Sequence, residues 1–298
     1  MLLTHSQQIR KVSHIHSQFI HKTNDSFPFI LATTAFYAII LTMLLKCPVC
    51  SESLQQENRS AKCPNGHCFD YAKSGYLNLL LKQSKDHGDN LGMVKARTAF
   101  LQSDSYAFLR NALIDIVTDL KPNVLVDLGC GEGYYTKALP CDEKYGFDVS
   151  KDAIKYASKH DKTTNYSIAS IFNLPLPDGC CDVAMTCFAP FAKDEIERIL
   201  NDQGSFIFVI PGPRHLFELK QELYETPYEN SIDELDTNLK LVASKTINET
   251  MHLDHETLMN LFEMTPYAYH TPKESIEHLN TLDSLDVTAE FIVQFYKK

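Results

Sequence analysis

The sequence is short of positive charge. Its 298 residues carry 28 Lys and Arg against 38 Asp and Glu, a net charge of −10, which argues against a chain that binds polyanions over its whole surface. An even set of cysteines is also missing. Nine cannot all pair within one chain, so a disulfide scaffold is disfavoured and a reducing, cytoplasmic compartment fits better. No small-residue processing site follows the apolar stretch near the N-terminus, which argues against a cleaved signal peptide. Apolar side chain is abundant, at 44% of residues, enough for one large domain with a small accessory module.

Charge is spread unevenly. Residues 1–45 hold three basic and one acidic side chain, residues 46–110 nine and six, and residues 111–298 sixteen and thirty-one. Three segments of different electrostatic character suggest three different jobs. In the first, Phe27 to Leu45 is an uncharged run of nineteen residues, just long enough as a helix, at about 1.5 Å per residue, to span a bilayer. Lys22 and the Arg10-Lys11 pair upstream would suit a signal anchor. Against that, Met43 lies four residues before Cys47, where a self-sufficient motif begins. Residues 1–42 are therefore read as an extension, either a start-site artefact or a hydrophobic anchor, and no membrane partner is expected unless residues 27–45 form a real anchor.

The second segment, residues 43–90, contains Cys47-Pro-Val-Cys50 and, after a gap of twelve residues, Cys63-Pro-Asn-Gly-His67. Each knuckle aims two soft ligands at one point, and two knuckles close a tetrahedron of three thiolates and an imidazole around Zn2+. All four positions are filled by protein, so the metal is expected to be structural. Cys68 competes with His67 as fourth ligand, and the C-P-x-x-H spacing favours His67. Residues 69–90 read as an exposed connection. Residues 91–122 read as a linker with one amphipathic docking helix over 93–117. Lys73, Lys82, Lys85, Lys95 and Arg97 form a candidate basic face.

The third segment, residues 123–298, opens with the apolar run VLVDLG and the stretch CGEGYYTKAL, read as strand, glycine turn and helix. That arrangement presents backbone N–H groups to a ligand at the carboxyl end of a parallel strand. Gly129, Gly131 and Gly133 alternate behind Asp127, and the G-x-G-x-x-G spacing that cradles a pyrophosphate is lacking. The pattern D-L-G-C-G-E-G is that of S-adenosylmethionine-dependent methyltransferases, with Asp127 orienting the loop or the ligand's amine. Asp148, nineteen residues after Gly129 at the end of the next strand, is placed to accept both ribose hydroxyls. Ser170 stands where many such enzymes place an acid against the adenine amine, so backbone groups are expected to read that edge. Strands at 165–170, 181–187, 204–212, 239–247 and 287–296, with intervening helices at 193–200 and 255–264, complete an α/β, Rossmann-like sheet of seven strands whose last is antiparallel, the class I methyltransferase fold.

Taken together, the four-ligand module, FDYAKSGYLNLL (69–80), ARTAFL (96–101), VDLGCGEGYYT (126–136), GFDVSKDAIK (146–155), PGPRHLFELK (211–220) and MTPYAY (264–269) closely resemble the bacterial large-subunit rRNA guanine-N1 methyltransferases of the RlmA type. The resemblance runs from about Met43 to the C-terminus, and the family does not carry residues 1–42. It implies a zinc-bearing N-terminal domain that recognises a hairpin of 23S rRNA, a C-terminal catalytic domain, and a symmetric dimer forming an RNA-binding cleft. It further implies metal ligands Cys47, Cys50, Cys63 and His67, and cofactor contacts at Tyr106, Tyr135, Thr136 and His215.

The reaction requires alignment of an activated methyl group and loss of the proton on guanine N1. No side chain is an obvious general base. Phe188 and Pro190, in CFAPF (187–191), are candidates for stacking on the base and shaping its pocket, and Arg214 or His215 for assisting through the guanine carbonyl. Two other readings stay open: methylation of a small molecule, and a non-catalytic zinc-dependent RNA binder. An RNA enzyme with this charge balance needs a local basic face, doubled by a dimer.

Overall fold

The computed structural model describes residues 42–82, 90–232 and 234–298. Strands β1 (Thr42–Lys46), β2 (Ser53–Glu57), β3 (Ser60–Lys62) and β4 (Cys68–Asp70) form an antiparallel meander. The apolar run expected as one helix over 27–45 therefore ends differently: residues 42–45 lie in β1, paired with β2, while residues 27–41 lie outside the described residues. Among the described residues no helix is long and apolar enough to cross a membrane. Packing explains the strand. Leu45 is buried, the Lys46 N–H donates to the Pro175 carbonyl at 2.8 Å, and the Leu44 N–H lies 3.4 Å from the Tyr145 hydroxyl.

The stretch after the meander is not the exposed connection expected. Leu77 and Leu79 alternate with polar or less buried neighbours and are themselves buried, with Tyr76 beside them. Alternation is the strand signal, and β5 (Leu77–Asn78) pairs in parallel with the edge of the main sheet. Residues 83–89, Lys85 included, lie outside the described residues. The docking helix is in fact two helices, α1 (Leu91–Gln102) and α2 (Ala107–Leu120). Asn90 caps α1 by accepting from the Met93 N–H. The chain breaks at Ser103–Tyr106, where Asp104 adopts a left-handed φ of 59° and leaves Tyr106 at the head of α2.

The remaining strands are β6 (Val124–Leu128), β7 (Glu143–Asp148), β8 (Thr164–Ile168), β9 (Cys181–Cys187), β10 (Leu200–Pro211), β11 (Lys240–Asp254) and β12 (Ser284–Lys297). Their helices are α3 (Lys151–His160), α4 (Lys193–Ile199), α5 (Phe217–Leu223), α6 (His255–Met264) and α7 (Lys273–Leu279). The sheet order is β11-β12-β10-β9-β6-β7-β8-β5. All seven expected strands are present, β12 runs antiparallel to both its neighbours, and β5 is an eighth contributed by the metal module. The helix expected after the glycine turn is absent. A short 3-10 turn, Thr136–Ala138, takes its place, because Pro140 follows at once and bars the preceding residue from helical geometry.

Among the described residues three hydrophobic clusters flank the sheet, the smallest joining Tyr76, Ile154 and Ala157 to Tyr166 and Ile168 of β8, and the two large ones set the architecture. One places α2, α5 and α6 against Met185, Val209 and Phe291. The other joins Leu45, Leu54 and Leu77 of the metal module to Val126, Leu128 and Phe147 of the sheet.

Candidate active site and metal centre

The four expected ligands converge. Ligand atoms of Cys47, Cys50, Cys63 and His67 all lie within 4.8 Å of one another, with Cys50 Sγ 3.6 Å from Cys63 Sγ and Cys63 Sγ 3.3 Å from His67 Nδ1. Tetrahedral Zn2+ with Zn–S bonds of about 2.3 Å requires sulfurs about 3.8 Å apart, so the donor set fits that ion. Cys68 is exposed on β4 and is not part of the group. A hydrogen bond from the Glu52 backbone, then one from Asn65, brings the Cys50 thiol down to about 6, toward the thiolate that binds metal.

The second site forms where β6 ends. Gly129 turns left-handed at φ 80°, and a Cβ there would overlap the Cβ of Ala189, so the turn and the CFAPF segment touch. At Gly133 a Cβ would strike the Tyr166 hydroxyl. Only glycine satisfies both the backbone and the space. Asp127 lies beneath the turn and is buried. Its Oδ2 accepts from the Thr136 hydroxyl at 2.5 Å, while its Oδ1 is buried with no hydrogen-bond partner. Burial, reinforced by the nearby Asp148 charge and opposed by the Thr136 hydrogen bond, holds its carboxyl at about 7. An unpaired buried acceptor of this kind is costly and suits a cationic donor.

Asp148 ends β7. Its Oδ2 accepts from the Gly131 N–H at 3.0 Å and its Oδ1 from the Ser150 N–H at 2.7 Å, so the acid is locked to the turn. The hydroxyl of Ser170 accepts from the Phe172 N–H at 3.3 Å and closes its own loop.

An aromatic set lies beside the turn. Tyr106 packs edge-on against Phe291 at 4.9 Å, His215 lies 4.7 Å from Phe291, and Phe188 lies 5.1 Å from Phe291 and 6.4 Å from Tyr135. The hydroxyls of Tyr106 and Tyr135 are both buried without a partner. Phe188 is 42% exposed and holds a left-handed φ of 61°, a strained backbone of the sort that fixes side chains at functional sites. Pro190 is exposed. His215 Nδ1 accepts from the Glu290 N–H at 3.2 Å, so Nε2 carries the ring proton, and burial pulls the imidazole down to about 3. Arg214 is directed elsewhere. It pairs with Glu229 at 2.9 Å and lies over the Phe217 ring.

Two residues here were given other roles or none by the sequence. Arg97, expected on the basic face, is instead mostly buried and binds Glu132 at 2.6 Å, tying α1 to the glycine turn. The signal was Glu132, an acid within a turn that is otherwise small and apolar. Lys144 is buried and donates to the carbonyls of Thr136, Lys137 and Leu139 at 3.0–3.1 Å, which closes the 3-10 turn that Pro140 cuts short. Nothing in the local pattern marks it.

Comparison with known proteins matches both parts of the chain. Residues 45–87 match the family model described as RlmA, N-terminal, and residues 126–208 one described as methyltransferase domain. The 23S rRNA (guanine(748)-N(1))-methyltransferase of Streptomyces fradiae is 31% identical over 246 residues, covering 78% of this chain and 88% of that protein. YxjB of Bacillus subtilis (strain 168), named for the same class of reaction, is 30% identical over 268 residues, covering 83% of this chain and 94% of that protein.

Proposed function

Because the chain belongs to the family of 23S rRNA (guanine-N1)-methyltransferases, we propose that it transfers the methyl group of S-adenosylmethionine to N1 of a guanine in a hairpin of 23S ribosomal RNA. One observation carries the reading: a glycine turn with a buried, unpaired Asp127 oxygen beneath it and two buried, unpaired tyrosine hydroxyls beside it. When bound, S-adenosylmethionine supplies a methyl group activated by its sulfonium.

The chain's own residues hold and align. Asp127 Oδ1 accepts from the ligand's ammonium, the backbone of Gly129, Gly131 and Gly133 allows close approach of the methionine moiety, and Asp148 accepts the ribose hydroxyls. Thr136 acts through Asp127, fixing its carboxylate. Backbone groups around Ser170 read the adenine edge. Tyr106, Tyr135 and His215 complete the contacts, and Zn2+ on Cys47, Cys50, Cys63 and His67 holds the N-terminal module in shape. Phe188 stacks on the extruded guanine and Pro190 borders it. His215 is neutral near pH 7, and its Nε2 already bears a proton. It donates toward the guanine carbonyl and stabilises the charge left when N1 loses its proton. It is not the base, and Arg214, paired with Glu229, is not needed for that role.

A cleft of about 530 Å3 between the metal module and β8 supports RNA contact. Arg59 and Lys73 are exposed along it. Lys162, which also lines it, is held by the carbonyls of Ser74 and Ser158. A ribosomal substrate places the chain in the cytoplasm, and a symmetric dimer would double this modest basic surface. The test is methyl transfer in vitro to unmodified 23S rRNA, with the modified nucleotide mapped. N1-methylguanine at one hairpin position is expected, and its absence from cofactor-bound protein would overturn the reading. Deleting residues 43–90 does not serve as a test, because β5 and Leu45 belong to the catalytic core.

A further inference from the structure

Helix α1 meets the glycine turn through Arg97. Its Nε donates to Glu132 Oε2 at 2.6 Å, with 22% of the arginine side chain and 6% of the glutamate side chain exposed. The same guanidinium lies along Gly131, because a Cβ at that position would sit 3.2 Å from one of its terminal nitrogens. Gly131 is left-handed at φ 54°, and its N–H is the one that holds Asp148 Oδ2. Arg97 therefore touches both the residue that locks Asp148 and the residue after it. The helix that presents it is fixed at each end: Asn90 Nδ2 donates to the Tyr269 hydroxyl and Gln102 Nε2 to the Tyr156 hydroxyl, both at 2.8 Å.

The turn has a reason to need this cation. Burial first, and then the charges of Asp127, Asp148 and Glu132, push the Cys130 thiol well above its ordinary range, so three carboxyls crowd one short loop. Glu132 is buried, and a buried carboxylate that loses its cation is strongly unfavourable. Without Arg97 the turn relaxes by carrying Glu132 toward water, Gly131 moves with it, and Asp148 loses the N–H that orients it. Lysine cannot make both contacts. Its ammonium is a point charge, whereas the planar fork bonds through Nε and packs a terminal nitrogen against the backbone.

We propose that Arg97 is a positioning residue for the cofactor: through Glu132 and Gly131 it keeps the glycine turn in the shape that binds S-adenosylmethionine. This rests on the cofactor reading above. Apparent affinity then falls with the fraction of chains whose turn holds that shape. The test titrates the full metal-loaded chain with S-adenosylmethionine by calorimetry, with circular dichroism confirming that each variant is folded. Arg97→Met is expected to weaken binding about tenfold to a hundredfold with the KM for rRNA unchanged. Adding Glu132→Gln to that variant is expected to recover most of the loss, because the carboxylate that needed the cation is gone too. A merely structural arginine would give no such recovery. Should Arg97→Met not fold, Arg97→Lys carries the test and is expected to bind severalfold more weakly than wild type, since it keeps the charge and loses the fork. Wild-type affinity in the variant that carries the test overturns the proposal, and so does a double variant that binds no better than Arg97→Met. A wild type that does not bind S-adenosylmethionine at all overturns the cofactor reading itself, and the two failures are told apart by the wild-type titration alone.

Discussion

Replacing Asp127 by Asn should make the cofactor-free chain gain stability, relative to wild type, as the pH is raised from 5 to 8. The carboxyl titrates at about 7 in the folded chain against an ordinary 3.8, chiefly because it is buried. The folded state therefore holds this proton more tightly than the unfolded state does. Its contribution to stability is complete below pH 3.8 and is lost as the pH rises through 7. The whole difference is worth about 4 kcal/mol, of which about 2–3 kcal/mol is lost between roughly pH 5 and pH 8. Asparagine keeps an oxygen for the Thr136 hydroxyl but leaves an amide N–H2 without an acceptor, a cost of about 1–3 kcal/mol that does not vary with pH. Urea unfolding of metal-loaded, cofactor-free protein at both pH values should therefore show the variant improving by about 2–3 kcal/mol against wild type. A difference that is the same at both pH values would refute the argument. Calorimetry gives a second reading. If Asp127 meets the ligand's ammonium, cofactor binding near pH 6 should release a proton from wild type, seen as a heat that depends on the buffer, and Asp127→Asn should abolish that dependence.

Lys144→Met leaves the carbonyls of Thr136, Lys137 and Leu139 unpaired and should cost about 2–4 kcal/mol of stability by denaturant titration; a loss under 1 kcal/mol would mean that water replaces the ammonium at no cost. Stripping the metal with a chelator, or Cys63→Ser, should melt the β1–β4 meander, read as lost strand signal in circular dichroism together with the loss of one zinc per chain by elemental analysis. Phe188→Ala at a partly exposed position should leave the unfolding midpoint nearly unchanged while lowering the rate of methyl transfer to rRNA about tenfold to a hundredfold, matching a lost stacking energy of about 1–3 kcal/mol; an unchanged rate would remove Phe188 from the site.

Short-range geometry was readable in the chain. Knuckle spacing brings Cys47, Cys50, Cys63 and His67 together because each pair lies within one turn, and the alternating glycines place Asp127 and Asp148 at neighbouring strand ends. Features set by distant partners were not readable. Lys82 and Lys95 stay exposed, as solvated lysines do, but Arg97 turns inward because Glu132 needs a cation 35 positions away. β5 is too short to announce itself and exists because β8 offers an edge. The single amphipathic stretch 93–117 splits because Asp104 adopts a left-handed turn, a break that hydrophobic spacing alone does not contain. The helix after the glycine turn fails for a local reason that was visible, Pro140, which the general strand-turn-helix pattern overrode.

The seam between the metal module and the sheet has a thermodynamic consequence. Lys46 bonds to Pro175, Leu44 to Tyr145 and Leu79 to Ile168, while Ala169 bonds back to the carbonyl of Asp148. The metal module and the strand end that carries Asp148 are thus joined by one set of strands. Whatever factor zinc occupancy contributes to cofactor affinity, the cofactor must return to zinc affinity. A cell low in zinc would then lose its grip on the methyl donor in the same proportion as a cell low in methyl donor would loosen its hold on zinc.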